Sequence, residues 1–131
     1  MMQVFQVSKV FGADHVCGVL RVATEPFSFL GDVTVDSAEV RGVGRVADSI
    51  LVAPAVVGST VGPYILYALS RRGTAPRALI TKSIDPTLVA GCVVANVSLY
   101  RLLEEGSDLN ALRSLSGAEA CVSEGTLIVH R

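Results

Sequence analysis

Gly58-Ser59-Thr60-Val61-Gly62 places hydroxyl side chains between glycines at the point where an apolar run, Ile50 to Pro54, gives way to a helix pattern. Glycine permits a tight turn and a close approach of backbone to a ligand. A loop that enters a helix presents backbone N–H groups at the positive end of the helix dipole, where an anion is stabilised. Gly58, Ser59, Thr60 and Gly62 are therefore candidates for an anion-binding loop, with the Ser59 and Thr60 hydroxyls as its reactive groups. The same residues also suit a purely structural role, in which Ser59 or Thr60 caps the helix for about 1 kcal/mol. The spacing does not match a nucleotide P-loop, which needs four residues between its glycines and a lysine after them, nor Gly-x-Gly-x-x-Gly. It is not a Gly-x-Ser-x-Gly nucleophile elbow either.

Other groups capable of chemistry are dispersed. His15 and His130 lie near opposite ends of the chain, and Asp36 and Glu39 read as solvated carboxylates on one loop. Arg71 and Arg72 could reach a phosphate, although their place in the last turn of a helix already suits the dipole there. Cys17, Cys92 and Cys121 are far apart, and only Cys17 has a neighbouring histidine, His15. Their odd number and apolar surroundings predict buried thiols without a disulfide framework, and no metal held by this chain alone.

The elements that must position the loop are legible in the pattern. "ILVAP" suits a buried central strand. Val61, Tyr64, Ile65, Ala68 and Leu69 follow helical spacing, Pro63 fits the first turn, and Gly73 marks the stop. "RALIT", Arg77 to Thr81, is the next strand. Asp85-Pro86 then reads as an N-cap and first-turn proline of a helix running to about Asn96. Strand and helix in alternation predict parallel βαβ units with right-handed crossovers. Upstream, Gln3–Val7 and Val16–Ala23 read as strands, "TEPFSFLGD" as a loop, and Val33–Val35 and Val40–Val46 as short strand or loop pieces. Downstream come a strand at "VSLY", a short helix over Ser107–Leu115, and a hairpin over Ala118–Val129 turning at Ser123-Glu124-Gly125.

The chain has 131 residues, half of them hydrophobic and 5% aromatic, with a formal charge of −1 spread without blocks. That length fits one domain, residues 1–131. The scattered charge argues against a nucleic acid or an anionic membrane as partner. The apolar runs are too short for a membrane span and Lys9 and Asp14 interrupt any secretion signal, so a cytoplasmic location is expected.

The run "PAVVGSTVGPYILYALSRRGTAPRALITKSIDP", with "EPFSFLGDV" upstream, resembles the small subunit of the aconitase X family, its archaeal branch above all, over nearly the whole chain. The most specific parts are Gly58 to Gly62 and Gly73-Thr74-Ala75-Pro76, with Pro26 to Phe29 in support. The resemblance implies an α/β fold, a swivelling β/β/α domain with a central mostly parallel sheet, flanking helices and antiparallel strands. It implies a large catalytic subunit as partner, holding an iron–sulfur cluster of the 4Fe–4S type, with none bound by this chain.

The expected activity is that of a hydro-lyase converting (R)-5-phosphomevalonate into trans-anhydromevalonate 5-phosphate, in which Ser59 matches the family's proton acceptor and Gly58, Thr60 and Gly62 position substrate. Two alternatives stay open: dehydration of cis-3-hydroxy-L-proline, and a non-catalytic interaction module. The chain departs from the family pattern at Asp32 and at Ala55-Val56-Val57, where relatives carry glycine.

Overall fold

Outward and inward side chains alternate along the central strands, and each set fills a different core. The computed structural model describes residues 2–58, 61–103 and 108–131. Strands β1 (Met2–Phe11), β2 (His15–Val22), β6 (Ser49–Ala53), β7 (Ala78–Thr81), β8 (Ser98–Leu102), β9 (Glu119–Ser123) and β10 (Thr126–His130) close into a barrel in the order β1-β10-β9-β2-β6-β7-β8. Ile50 and Val52 of β6, Ala78 and Ile80 of β7 and Tyr100 and Leu102 of β8 point into the barrel with Leu20, Leu127 and Val129. Their neighbours Leu51, Ala53, Leu79 and Leu99 point outward into a second core. This explains why "SILVA" is apolar without a break: β6 is buried on both faces.

Two helices cover that outer face. Helix α2 (Gly62–Arg71) follows β6 and helix α3 (Pro86–Ala95) follows β7, so β6, β7 and β8 run parallel through the expected crossovers. Leu66 and Leu69 of α2 and Leu88, Cys92 and Ala95 of α3 are buried. The helices approach closely at Gly91, where a Cβ would stand 3.2 Å from Pro63 Cα. No helix among the described residues is long and apolar enough to cross a membrane.

The parallel run extends to β2, which pairs with β6, and antiparallel strands complete the circuit. Strand β1 is longer than the sequence pattern suggests because it pairs with β10 over Met2 to Gln6 and then with β8 over Val7 to Phe11, the β8 pairing shifting register between Lys9 and Phe11. Helix α4 (Asp108–Ser114) contributes Leu109 and Leu112 to the barrel interior, where Leu115 joins them. The β9–β10 turn lies where expected, with Glu124 at φ 48° and Gly125 at φ 80°, the positive values of a two-residue hairpin turn.

Between β2 and β6 the chain forms a small lobe: α1 (Phe29–Asp32) and a three-stranded sheet of β3 (Val33–Thr34), β4 (Glu39–Val40) and β5 (Gly44–Arg45). The four-residue helix α1 falls in a segment expected to be loop.

The cysteine expectation is overturned. Cys17 and Cys121 are joined by a disulfide between β2 and β9, where strand register sets them face to face despite a sequence separation of 104. Cys92 is the buried thiol, and desolvation pushes its pKa up to about 12, so it stays protonated.

Candidate functional site

The loops that leave the carboxyl ends of β6 and β7 open onto one cleft of about 310 Å³, a position where open α/β sheets place ligands. Its walls are Val56, Val57 and Gly58 after β6, Gly62, Pro63 and Leu66 at the start of α2, and Asp85, Thr87 and Leu88 at the start of α3. Phe29 of α1 lines it as well. Both helices thus direct their N-terminal turns at the same space.

The two turns differ in charge. Asp85 caps α3, accepting from Leu88 N at 2.9 Å, so this helix already has a carboxylate at its positive end. Helix α2 has no acidic residue in its first turn, and its N-cap is Val61, which makes no side-chain capping hydrogen bond. The hydroxyl pair expected either to react or to cap the helix immediately precedes Val61. Ser59 and Thr60 themselves lie outside the described residues. Pro63 occupies the first turn as expected and brings no N–H. Of the two helix ends, α2 is the one that lacks an anion of its own.

Gly58 sits at φ 118°, a conformation that favours glycine. A Cβ there would lie 2.6 Å from Ser28 Oγ, so the backbone needs glycine for close packing as well as for its torsion. Ser28 is held in turn. It caps α1 by accepting from Gly31 N at 3.4 Å, and its own N–H donates to Asp32 Oδ2 at 2.8 Å. Arg41 Nη2 donates to Gly31 O at 2.9 Å. A bridge between Phe27 and Val56 fastens this segment to the β6 loop, with Phe27 N donating to Ala55 O at 3.3 Å and Val57 N donating to Phe27 O at 2.8 Å.

Of the departures noted in sequence, Asp32 acts through its side chain, which holds the Ser28 N–H. The bonds at Ala55 and Val57 that tie the two loops together are backbone bonds, which glycine would also make. Ser28 was visible only as part of the Pro26 to Phe29 element, and Thr87 was not singled out. The signal for Ser28 is its position three residues before Gly31, a capping distance; Thr87 follows an Asp-Pro helix start.

Arg71 and Arg72 are at the far end of α2, a ten-residue helix spanning about 15 Å. Arg72 pairs with Asp36 of the small lobe at 3.5 Å. The helix axis thus separates both arginines from the cleft, which removes them as phosphate contacts within this chain. His15 and His130 are exposed on the barrel strands. Beside the cleft, Leu30, Val57, Val61 and Tyr64 are exposed apolar residues, with Tyr64 at 72%.

The model of the aconitase X swivel domain matches residues 5–129. The phosphomevalonate dehydratase small subunit of Pyrococcus abyssi is 34% identical over 113 residues, covering 81% of this chain and 83% of that one. That of Methanopyrus kandleri is 33% identical over 109 residues, covering 75% and 81%. The crystal structure of Thermococcus kodakaraensis aconitase X in its holo form superposes with a TM-score of 0.83 at 26% identity, covering 98% of this chain and 99% of that one.

Proposed function

The chain belongs to the aconitase X swivel-domain family, and from that premise we propose that it is the small subunit of a two-chain hydro-lyase that dehydrates (R)-5-phosphomevalonate to trans-anhydromevalonate 5-phosphate. The names of relatives at 31–38% identity support the substrate. The observation that carries the catalytic part is the glycine-bounded loop entering α2, a helix that offers its positive end to the cleft without a carboxylate of its own.

Dehydration removes a proton from the carbon beside the carboxylate and a hydroxyl from the next carbon. Ser59 takes the proton. A serine hydroxyl is a poor base, so Ser59 acts as an alkoxide, stabilised by loop N–H groups and the start of α2 in a site closed to water. Thr60 and the backbone at Gly58 and Gly62 position the substrate. Among the described residues lining the cleft, Asp85 is the one charged side chain, so the phosphate is assigned to cationic groups of the partner. The exposed side chains of Leu30, Val57, Val61 and Tyr64 form the docking face, and closure over the large subunit assembles the site.

The thiols of this chain do not fit an iron–sulfur cluster: Cys17 and Cys121 are bonded to each other, and Cys92 is buried and protonated. The cluster is assigned to the large subunit, as is assistance to the leaving hydroxyl.

Comparing (R)-5-phosphomevalonate with cis-3-hydroxy-L-proline on the reconstituted complex tests the substrate. Turnover of the phosphorylated acid with none of the proline derivative is expected. The reverse preference would overturn the assignment.

A further inference from the structure

Cys17 and Cys121 occupy directly opposed positions of the β2–β9 ladder, with Cα atoms 4.0 Å apart, close to the spacing of a non-hydrogen-bonded antiparallel pair. Their neighbours Val122 and Ala120 face the barrel interior, so alternation places the two sulfurs on the outer face. Both cysteines are half-buried, within reach of solvent. His15, exposed on the same strand and the same face, places Nε2 3.6 Å from Cys17 Sγ. The bond joins strands from opposite ends of the chain, at the seam where the parallel run of the barrel meets its antiparallel half.

We propose that Cys17–Cys121 is an exchangeable disulfide, a redox modification site whose reaction partner is a dithiol and at which His15 selects the leaving sulfur. A thiolate of the dithiol attacks Cys121 Sγ, forming a mixed disulfide. The electron pair of the broken bond goes to Cys17, which leaves as a thiolate beside the His15 ring. The second thiol then attacks the mixed disulfide, releasing Cys121 and leaving the partner as a disulfide. Two electrons pass to the protein, and the two dithiol protons end on its cysteines. A disulfide oxidant reverses the sequence.

The bond acts on stability. With its ends separated by 104 in sequence, it restricts the unfolded chain, and the restriction is lost on reduction. The backbone ladder between β2 and β9 does not depend on the bond, and the cleft lies at the carboxyl ends of other strands. Reduction therefore lowers the melting temperature while the fold persists.

The test uses the full chain purified without reductant. Unfolded in denaturant, it should expose one reactive thiol, Cys92, out of three cysteines. Native protein treated with dithiothreitol should release two thiols before unfolding, and its melting temperature should fall by about 10 °C. Cys17→Ser should melt like reduced wild type and ignore reductant. Should it fail to fold, Cys121→Ala provides the same readout. His15→Ala should slow reduction severalfold without shifting the melt of the oxidised form. Three reactive thiols in the unreduced, unfolded chain would show that no bond forms. Release of the pair only after denaturation would show a sealed bond, and reduction of His15→Ala at the wild-type rate would remove His15 from the step.

Discussion

Ser59→Ala should lower turnover of the proposed two-chain enzyme by about 10²–10⁴-fold, the range for loss of a general base, while leaving association of the two chains intact. Alanine removes the hydroxyl proposed to take the proton. Gly58 still takes φ 118°, and α2 still begins at Gly62 after its Val61 cap. Because the loss is confined to the chemical step, kcat falls and KM changes little. Calorimetry of the subunit pair beside steady-state kinetics separates the two effects. Near-wild-type kcat in the variant would take the base role away from Ser59.

Gly58→Val has the second largest effect, and it works through the backbone. A β-branched side chain at φ 118° is strained, and its Cβ would stand 2.6 Å from Ser28 Oγ and 3.4 Å from Ser28 Cβ at a cost of about 1–3 kcal/mol for the torsion alone. Ser28 Oγ can turn away only by giving up its cap on Gly31 N, and Ser28 Cβ, on a backbone whose N–H Asp32 holds, stays 3.4 Å from the new Cβ. The loop must shift instead, and a displacement of about 1 Å at a reacting group can cost 10²-fold in rate. Gly73→Val is the control. Gly73 has φ 72°, and a Cβ there would meet nothing within 4 Å, so it carries the torsional strain at the other end of α2 without the collision. Melting temperature should fall in both variants, and kcat of the folded enzyme should fall only in Gly58→Val. Equal kcat in the two would show that the contact with Ser28 does not position the loop.

The parts of this fold written in local chemistry were legible in the sequence. Asp85-Pro86 gave the start of α3, Gly73 the end of α2, and Glu124-Gly125 the hairpin turn, since caps and positive φ values are properties of a few adjacent residues. Barrel closure was not legible. It depends on β1 changing partner from β10 to β8 between Gln6 and Val7, a choice made by partners about a hundred positions away. The disulfide was hidden for the same reason, because only strand register brings Cys17 to Cys121. Helix α1 was missed because its four residues follow a proline and contain Gly31, and the Ser28 and Asp32 contacts that hold it are side-chain geometry rather than pattern.

At the site, the sequence located the loop and its relation to α2. It could not foresee that Ser28 would pack against Gly58. Nor could it separate Arg71 and Arg72 from the cleft until the length and direction of α2 placed them at the opposite end.

Reconstitution from separately purified chains tests most directly whether the active site is divided between two polypeptides. With (R)-5-phosphomevalonate as substrate, neither chain alone should release product, and mixing them anaerobically should give turnover that saturates as this chain reaches equivalence with its partner. Full turnover by the large chain alone, unchanged when this one is added, would contradict the account.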